Sequence, residues 1–201
     1  MTFEQAAALP QAGQLAVQAL FAAGPLRAGQ KILINGAGGG VGTITIQLAK
    51  THDVEVTGVD SAAKLEMMRH LGFDHVIDYR DEDFTRNGRR YDLILDTKTS
   101  HSPFVYARSL NPGGTYATVG GPAMSLLFSI ALLRGPLRLA TGKTVRLIAL
   151  TQNRDLDYLS QRFEAGQLVP VIDGPYALSE APEAFRCFGA GHHKGKVVIR
   201  I

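Results

Sequence analysis

One cysteine, no tryptophan and few charges are what this 201-residue chain lacks most plainly. The single Cys187 leaves no internal disulfide framework and no multi-cysteine zinc site. Charged residues make up 19% of the chain. That is below the ~25% of ordinary soluble domains and excludes a disordered chain, a coiled coil or a supercharged arm. No Lys/Arg run exceeds a pair, and the net charge of +3 reads as spread along the chain, which argues against nucleic acid as a partner. Residues 1–14 hold no positive n-region, so no secretory signal is expected. The longest strongly apolar stretch, 124–133, is too short to span a bilayer, so no membrane is expected as a partner. A cytoplasmic globular protein remains, long enough to bury a real core.

The chain begins with a helical lead-in over 1–23, with Leu15, Ala19 and Ala22 on one face, stopped by Gly24-Pro25. Apolar strands then alternate with helices. Strands are expected at 31–35, 55–59, 75–77, 93–96, 115–119 and 145–150. Val41, Ile44 and Leu48 share one helical face, and Leu65, Met68 and Leu71 another. Ser102-Pro103 is a helix start, and Asn111-Pro112-Gly113-Gly114 ends that helix. Strands apolar on both faces and separated by helices call for a parallel sheet covered on both sides, a doubly wound α/β (Rossmann) fold over 24–150. From 151 to 201 the pattern loosens. A helix over 154–165, a strand at 168–171, a helix at 182–188 and a strand at 197–201 read as pieces of a different unit.

The strongest motif is Gly36-Ala37-Gly38-Gly39-Gly40-Val41-Gly42, between the strand at 31–35 and a helical run from Thr43. A glycine-rich turn there lets a diphosphate approach backbone N–H groups at the positive end of a helix dipole. In the G-x-G-x-x-G register the first position is Ala37, so the strict fingerprint is missed by one methyl group. An acid, Asp60, ends the next strand, 18 residues after Gly42. No Gly-Lys-Ser/Thr follows, so this is not a P-loop. The plain alternative is a tight strand-to-helix turn without a ligand.

At these residues the chain resembles a family. Phe3-Glu4-Gln5-Ala6-Ala7-Ala8-Leu9-Pro10, the glycine loop, Asp74-His75-Val76-Ile77-Asp78-Tyr79, Asp92-Leu93-Ile94-Leu95-Asp96 and Gly195-Lys196-Val197-Val198-Ile199 carry the resemblance. They resemble the zinc-independent quinone-oxidoreductase branch of the medium-chain dehydrogenase/reductase superfamily, many of whose members are called NAD(P)-dependent alcohol dehydrogenases. The resemblance implies an oxidoreductase moving hydride between nicotinamide and a quinone, enone or carbonyl, with no metal. It also implies that the GroES-like domain forming one wall of the substrate cleft is missing here. Residues 1–23 and 151–201 are then flanking remnants that meet that domain, and the chain alone is expected to be a poor enzyme.

The resemblance places the dinucleotide at Gly36, Gly39, Gly40, Val41 and Gly42. Asp60 stands where an acid would accept hydrogen bonds from the adenosine ribose; its alternative is a helix N-cap. Lys64 and Tyr79 fall where NADPH-using relatives bind phosphate, and Ser61 and Arg80 could join them. The alternative for Lys64 is a solvated helix face. Together these favour NADP(H) over NAD(H). Asp96, Thr97, Gly120 and Gly121 are expected to flank the nicotinamide ring, although Gly120-Gly121-Pro122 also reads as an ordinary loop. The Thr97-Lys98-Thr99-Ser100 segment departs from the Val-Gly pair common in the family.

No catalytic residue is assigned, since the cofactor carries the chemistry. Cys187 reads as a packing residue, and His192-His193 as a turn before the last strand. The resemblance further implies a homodimer through the edge strand at 145–150. Two other functions stay open: an enoyl-reductase piece of a polyketide or fatty-acid synthase, and a non-catalytic module that binds or senses NAD(P)H.

Overall fold

Ile32 and Ile34 face one core while Leu33, between them, faces a second. That alternation on a strand with both faces buried requires helices on both sides of a sheet. The computed structural model describes residues 1–121 and 124–201. Two helices, α1 (Phe3–Ala8) and α2 (Pro10–Leu20), precede the sheet. There follow β1 (Lys31–Asn35), α3 (Gly40–Ala49), β2 (Glu55–Asp60), α4 (Ala62–His70), β3 (His75–Asp78), β4 (Tyr91–Asp96), α5 (Pro103–Arg108), β5 (Leu110–Thr118), α6 (Met124–Thr141) and β6 (Thr144–Leu147). The six strands pair in parallel in the order β3-β2-β1-β4-β5-β6, the doubly wound order expected.

The first core joins α2 and α3 to Ile32, Ile34, Val56, Leu93 and Leu95. The second joins Tyr106 of α5 and Ile130 and Leu137 of α6 to Leu33, Ile94 and Tyr116. The order reverses between β1 and β4, so the crevice at the carboxyl ends of these two strands is where a ligand would lie.

Several expectations change. The buried side of α2 is Ala12, Ala16, Ala19 and Leu20, with Leu15 and Ala22 only half-buried. Asn111-Pro112-Gly113-Gly114 lies inside β5, where the register with β4 jumps from Tyr91↔Leu110 to Leu93↔Thr115. The segment is a bulge, which tolerates Pro112 and the positive φ of Gly113. The last strand of the sheet ends at Leu147 rather than at residue 150.

The 124–133 run continues past Gly135-Pro136 into one 18-residue helix, which is long and apolar enough by length and composition to cross a membrane. Here α6 lies on the sheet through Ile130 and Leu137 and carries Arg134 and Arg138. Nor is charge spread evenly. Between Asp96 and Asp155 there is no Asp or Glu but seven Lys or Arg, so the β5–α6–β6 side carries only cations.

After the sheet come α7 (Leu156–Glu164), β7 (Ile172–Ala177), α8 (Ala181–Gly189) and β8 (Lys196–Arg200). The strand expected at 168–171 starts at Ile172 instead. Pro170 offers no N–H, and the pairing with the tail begins where Val171 O accepts the Lys196 N–H at 2.8 Å. β7 and β8 form a separate parallel pair that packs on α1, with Arg200 hydrogen-bonded to Glu4. The chain's two ends thus build one structural piece beside the sheet.

Candidate cofactor site at the glycine loop

The loop after β1 uses nearly all its own N–H groups. Those of Gly36 and Ala37 donate to Val59 O at 2.9 and 3.1 Å, and that of Gly39 to Gly36 O at 3.2 Å. Gly38 N–H donates to Asp60 Oδ2 at 2.9 Å. The first helical bond then runs from Thr43 N–H to Gly39 O. Between them, Gly40 N–H faces Gly195 O across the bridge to the tail, while the N–H groups of Val41 and Gly42 find no acceptor among the described residues, and N-cap Gly39 has no side chain to supply one. Two free donors at the positive end of a ten-residue helix form an anion cradle.

The glycines divide into two kinds. Gly36 has φ +82°, and a Cβ there would lie 2.0 Å from Thr97 Oγ1. A Cβ on Gly42 would lie 2.4 Å from Ala37 O, so the fold itself needs glycine at both. Gly39 and Gly40 differ: a Cβ on either would meet nothing closer than 3.5 Å, and Gly39 has φ −88°. Nothing in the protein demands glycine at these two positions. A diphosphate approaching the backbone would, so the residues present fit that group.

Asp60, expected to meet a ribose or to cap a helix, is not the N-cap of α4. Its Oδ2 holds Gly38, and its Oδ1 accepts Ser61 N–H at 2.9 Å and lies 3.3 Å from Lys64 Nζ. Ser61 is the N-cap of α4, and Asp78 Oδ2 accepts the Ala62 N–H at its first turn. Lys64 is not on a solvated face: it is 2% exposed, with its stem laid against Gly38. Tyr79 and Arg80 lie just past β3, exposed, with the guanidinium 5.7 Å from the ring centre.

Asp96, expected to flank the nicotinamide ring, is fully buried. Its Oδ1 accepts Asn35 Nδ2 at 2.8 Å and the N–H groups of Lys98 and Thr99, and its Oδ2 accepts Tyr116 OH at 2.8 Å. The charge thus holds the 97–99 loop in place. Thr97 Oγ1 donates to Asn35 O, locking that loop to β1. Thr99 Oγ1 lies 2.6 Å from Thr118 Oγ1 and donates to Gly120 O. A Cβ on Gly121 would strike Thr99 Cβ at 2.7 Å, so Gly121 serves this packing; Pro122 lies outside the described residues.

Burial, then the Asp96 charge, pushes the Tyr106 phenol up to about 12, and the same two causes push Tyr116 up further. Sequence reasoning missed Asn35, Thr99 and Tyr116, whose roles depend on strand neighbours. It also missed Lys98 and His193 beside the loop. His193 does sit in a turn before β8, but Gly195 N–H donates to Gly38 O at 2.8 Å and brings that turn onto the glycine loop. Cys187 is half-buried on α8. Among the described residues no group of three or more His, Cys, Asp or Glu side chains is placed to hold a metal ion.

Residues 71–199 match the family model described as zinc-binding dehydrogenase. The chain belongs to that family. Its likeness to the quinone-oxidoreductase-like medium-chain dehydrogenase/reductases agrees with this. Human mitochondrial NAD(P)H oxidoreductase RTN4IP1 is 34% identical over 228 residues, covering 100% of this chain and 56% of that protein. Tomato (Solanum lycopersicum) 2-methylene-furan-3-one reductase is 32% identical, covering 99% and 47%. The solved quinone oxidoreductase from Coxiella burnetii superposes with a TM-score of 0.84 at 28% identity, covering 100% of this chain and 62% of that one. The chain therefore spans about half the length of the curated relatives it matches.

Proposed function

We propose that this chain is the cofactor-binding part of an NAD(P)H-dependent, zinc-independent oxidoreductase that reduces a quinone, enone or carbonyl. The observation that carries this reading is the start of α3: two unpaired N–H groups, of Val41 and Gly42, beside two glycines that the fold does not need. Bound nicotinamide cofactor supplies the hydride. The chain's own residues bind and orient. Val41 and Gly42 donate to the diphosphate, and Asp60 fixes the loop by holding Gly38. Asp96 fixes the 97–99 segment at the carboxyl end of β4, beside Gly120.

NADP(H) is favoured over NAD(H). The Asp60 carboxylate is already balanced by Lys64 and two N–H donors, so it adds little repulsion toward a 2′-phosphate. Arg80 and Tyr79 stand exposed at the neighbouring strand end to receive one. The setting is cytoplasmic, and the partner is a second copy of the chain joined at β6. Calorimetric titration of the chain with NADPH and NADH tests the reading. Saturable binding that Gly39→Val abolishes is expected, and no saturation at millimolar cofactor overturns it. In Lys64→Ala the ratio of NADPH to NADH affinity should fall. Slow quinone reduction with cofactor bound agrees with a substrate cleft that needs further protein, whereas binding with no turnover at all favours the sensing module.

A further inference from the structure

Three basic side chains, from three distant parts of the chain, lie across the glycine loop. A Cβ built on Gly36 would be 3.2 Å from Lys98 Cγ, one on Gly38 would be 2.6 Å from Lys64 Cδ, and one on Gly39 would be 4.0 Å from His193 Nε2. Lys64 belongs to α4, Lys98 to the loop after β4, and His193 to the turn before β8. The histidine is held there from both sides. Its ring stacks on Phe188 with centroids 5.0 Å apart, and the turn is bonded to Gly38 through Gly195. Nδ1 is buried without a hydrogen-bond partner, while Nε2 is turned toward Gly39, the position left open for a ligand.

Four charged groups face this ring. Lys64 and Lys98 repel a proton there, and Asp173 of β7 and Asp60 of β2 attract one. Both carboxylates are already engaged. Asp173 accepts Lys194 N–H and Tyr176 OH, and Asp60 accepts Gly38 N–H and pairs with Lys64. Burial first, then the two lysines, holds the free His193 below the ordinary histidine range. An anion seated on the helix N–H groups would reverse the balance, because its negative charges would lie beside the ring and offset the two ammonium groups.

We propose that His193 takes up a proton from solvent when a dinucleotide diphosphate seats at the glycine loop, and that the imidazolium then clamps the diphosphate from the tail side. The ring gains one proton and carries N–H on both nitrogens; no covalent bond changes. Through His193 the tail also reports pH to the cofactor site. This inference rests on the reading of the glycine loop as a dinucleotide site.

The probe is NAD⁺, since its diphosphate does not titrate between pH 6 and 8.5, whereas the 2′-phosphate of the NADP forms does. Calorimetry in buffers of different ionisation enthalpy gives the affinity and the protons bound together. The full chain should bind NAD⁺ on the order of three- to tenfold more tightly at pH 6 than at pH 8, with net proton uptake. His193→Asn, which keeps a donor but cannot titrate, should bind with no pH slope and no uptake. His192→Asn, altering the exposed neighbour, should keep both. Lys98→Met should reduce the uptake by letting the free ring protonate earlier. Saturable binding that is independent of pH, or a slope surviving in His193→Asn, overturns the proposal and leaves the dinucleotide site standing. No saturable binding at any pH up to millimolar NAD⁺ and NADPH overturns the site itself, and the clamp with it.

Discussion

Lys64 Nζ lies 3.3 Å from Asp60 Oδ1, both side chains are more than nine-tenths buried, and the other Asp60 oxygen holds the Gly38 N–H. One buried ion pair thus links the end of β2, the first turn of α4 and the glycine loop.

The two halves of that pair should not cost the same to remove. Asp60→Asn leaves an ammonium buried without a counter-ion and weakens the hold on Gly38. It should destabilise the chain by about 3 kcal/mol. Lys64→Met leaves a carboxylate that still accepts from Gly38 and Ser61, and should cost about 1 kcal/mol. Urea unfolding of the two variants checks the order. Equal losses would mean that the pair does not anchor the loop.

Gly39 and Gly42 offer a cleaner separation of folding from binding. Gly42→Ala forces a methyl group to within 2.4 Å of Ala37 O, and backbone must move. A loss of about 2–3 kcal/mol is expected, in the range of overpacking. Gly39→Ala meets nothing closer than 3.5 Å and should leave stability within about 0.5 kcal/mol of the parent while weakening cofactor binding. Thermal melts with and without NADPH distinguish the two. If Gly39→Ala binds as tightly as the parent, the diphosphate does not approach there.

Much of this was legible beforehand. The strands of a parallel sheet are buried on both faces, so β1 and β4 stand out by the apolar runs Ile32-Leu33-Ile34 and Leu93-Ile94-Leu95, and the loop between β1 and α3 stands out by its glycines. What stayed hidden depends on residues far apart in sequence. Asp60 reads as a free acid at a strand end until Gly38 and Lys64 close on it. Asn111-Pro112-Gly113-Gly114 carries every mark of a turn, and only the partner strand β4 keeps it extended. His193 reads as an ordinary turn residue because what brings it to Gly39 is the return of the tail over more than 150 positions.

The tyrosines buried with Asp96 predict behaviour in base. Tyr106 and Tyr116 stack at 4.2 Å, and Tyr116 OH donates to the Asp96 carboxylate. Their folded ionisation lies above that of an unfolded tyrosine, near 12 for Tyr106 and beyond it for Tyr116. A group raised in this way lends stability that is complete below about pH 10 and is lost as pH rises through the folded value. In a spectrophotometric titration at pH 11 these two rings should stay protonated while the chain is folded, then ionise together with unfolding. Tyr116→Phe leaves Asp96 one donor short and should cost about 1–2 kcal/mol.

Asp74 predicts the acid side. Lys50 Nζ donates to both its oxygens at 2.6 and 2.8 Å, and Val56 N–H donates at 2.7 Å. Partial burial pushes this carboxyl up, but the Lys50 and Val56 hydrogen bonds outweigh it and hold it below the ordinary range. Its contribution is present above the unfolded value near pH 4 and disappears as pH falls through the lower folded value. Asp74→Asn should therefore cost about 1 kcal/mol at pH 7, a modest figure because the pair is partly solvated, and almost nothing at pH 2. A mutant difference that does not shrink in acid would remove Asp74 from this role.

The last prediction concerns the proposed second copy at β6. Among the described residues the outer edge of Thr144–Leu147 has no partner strand, and Leu147 at its end is exposed, as are Met124, Phe128, Leu132 and Leu139 of α6. Unpaired edge groups beside exposed apolar side chains favour pairing across a two-fold axis. The same side carries Arg134, Arg138 and Arg146, all exposed, and the segment between Asp96 and Asp155 holds no carboxylate to oppose them. Two copies meeting there bring like charges together, and salt screens that repulsion while leaving apolar burial intact. Association should therefore strengthen as ionic strength rises from about 0.02 M to 0.5 M, the reverse of an interface held by ion pairs. Arg146→Glu, which gives each copy an acid opposite the partner's arginines, should tighten the dimer at low salt and flatten the salt dependence. Leu147→Pro removes an edge donor and should release monomers. Sedimentation at several salt concentrations reads all three. A chain that stays monomeric at tens of micromolar in high salt would exclude pairing through β6.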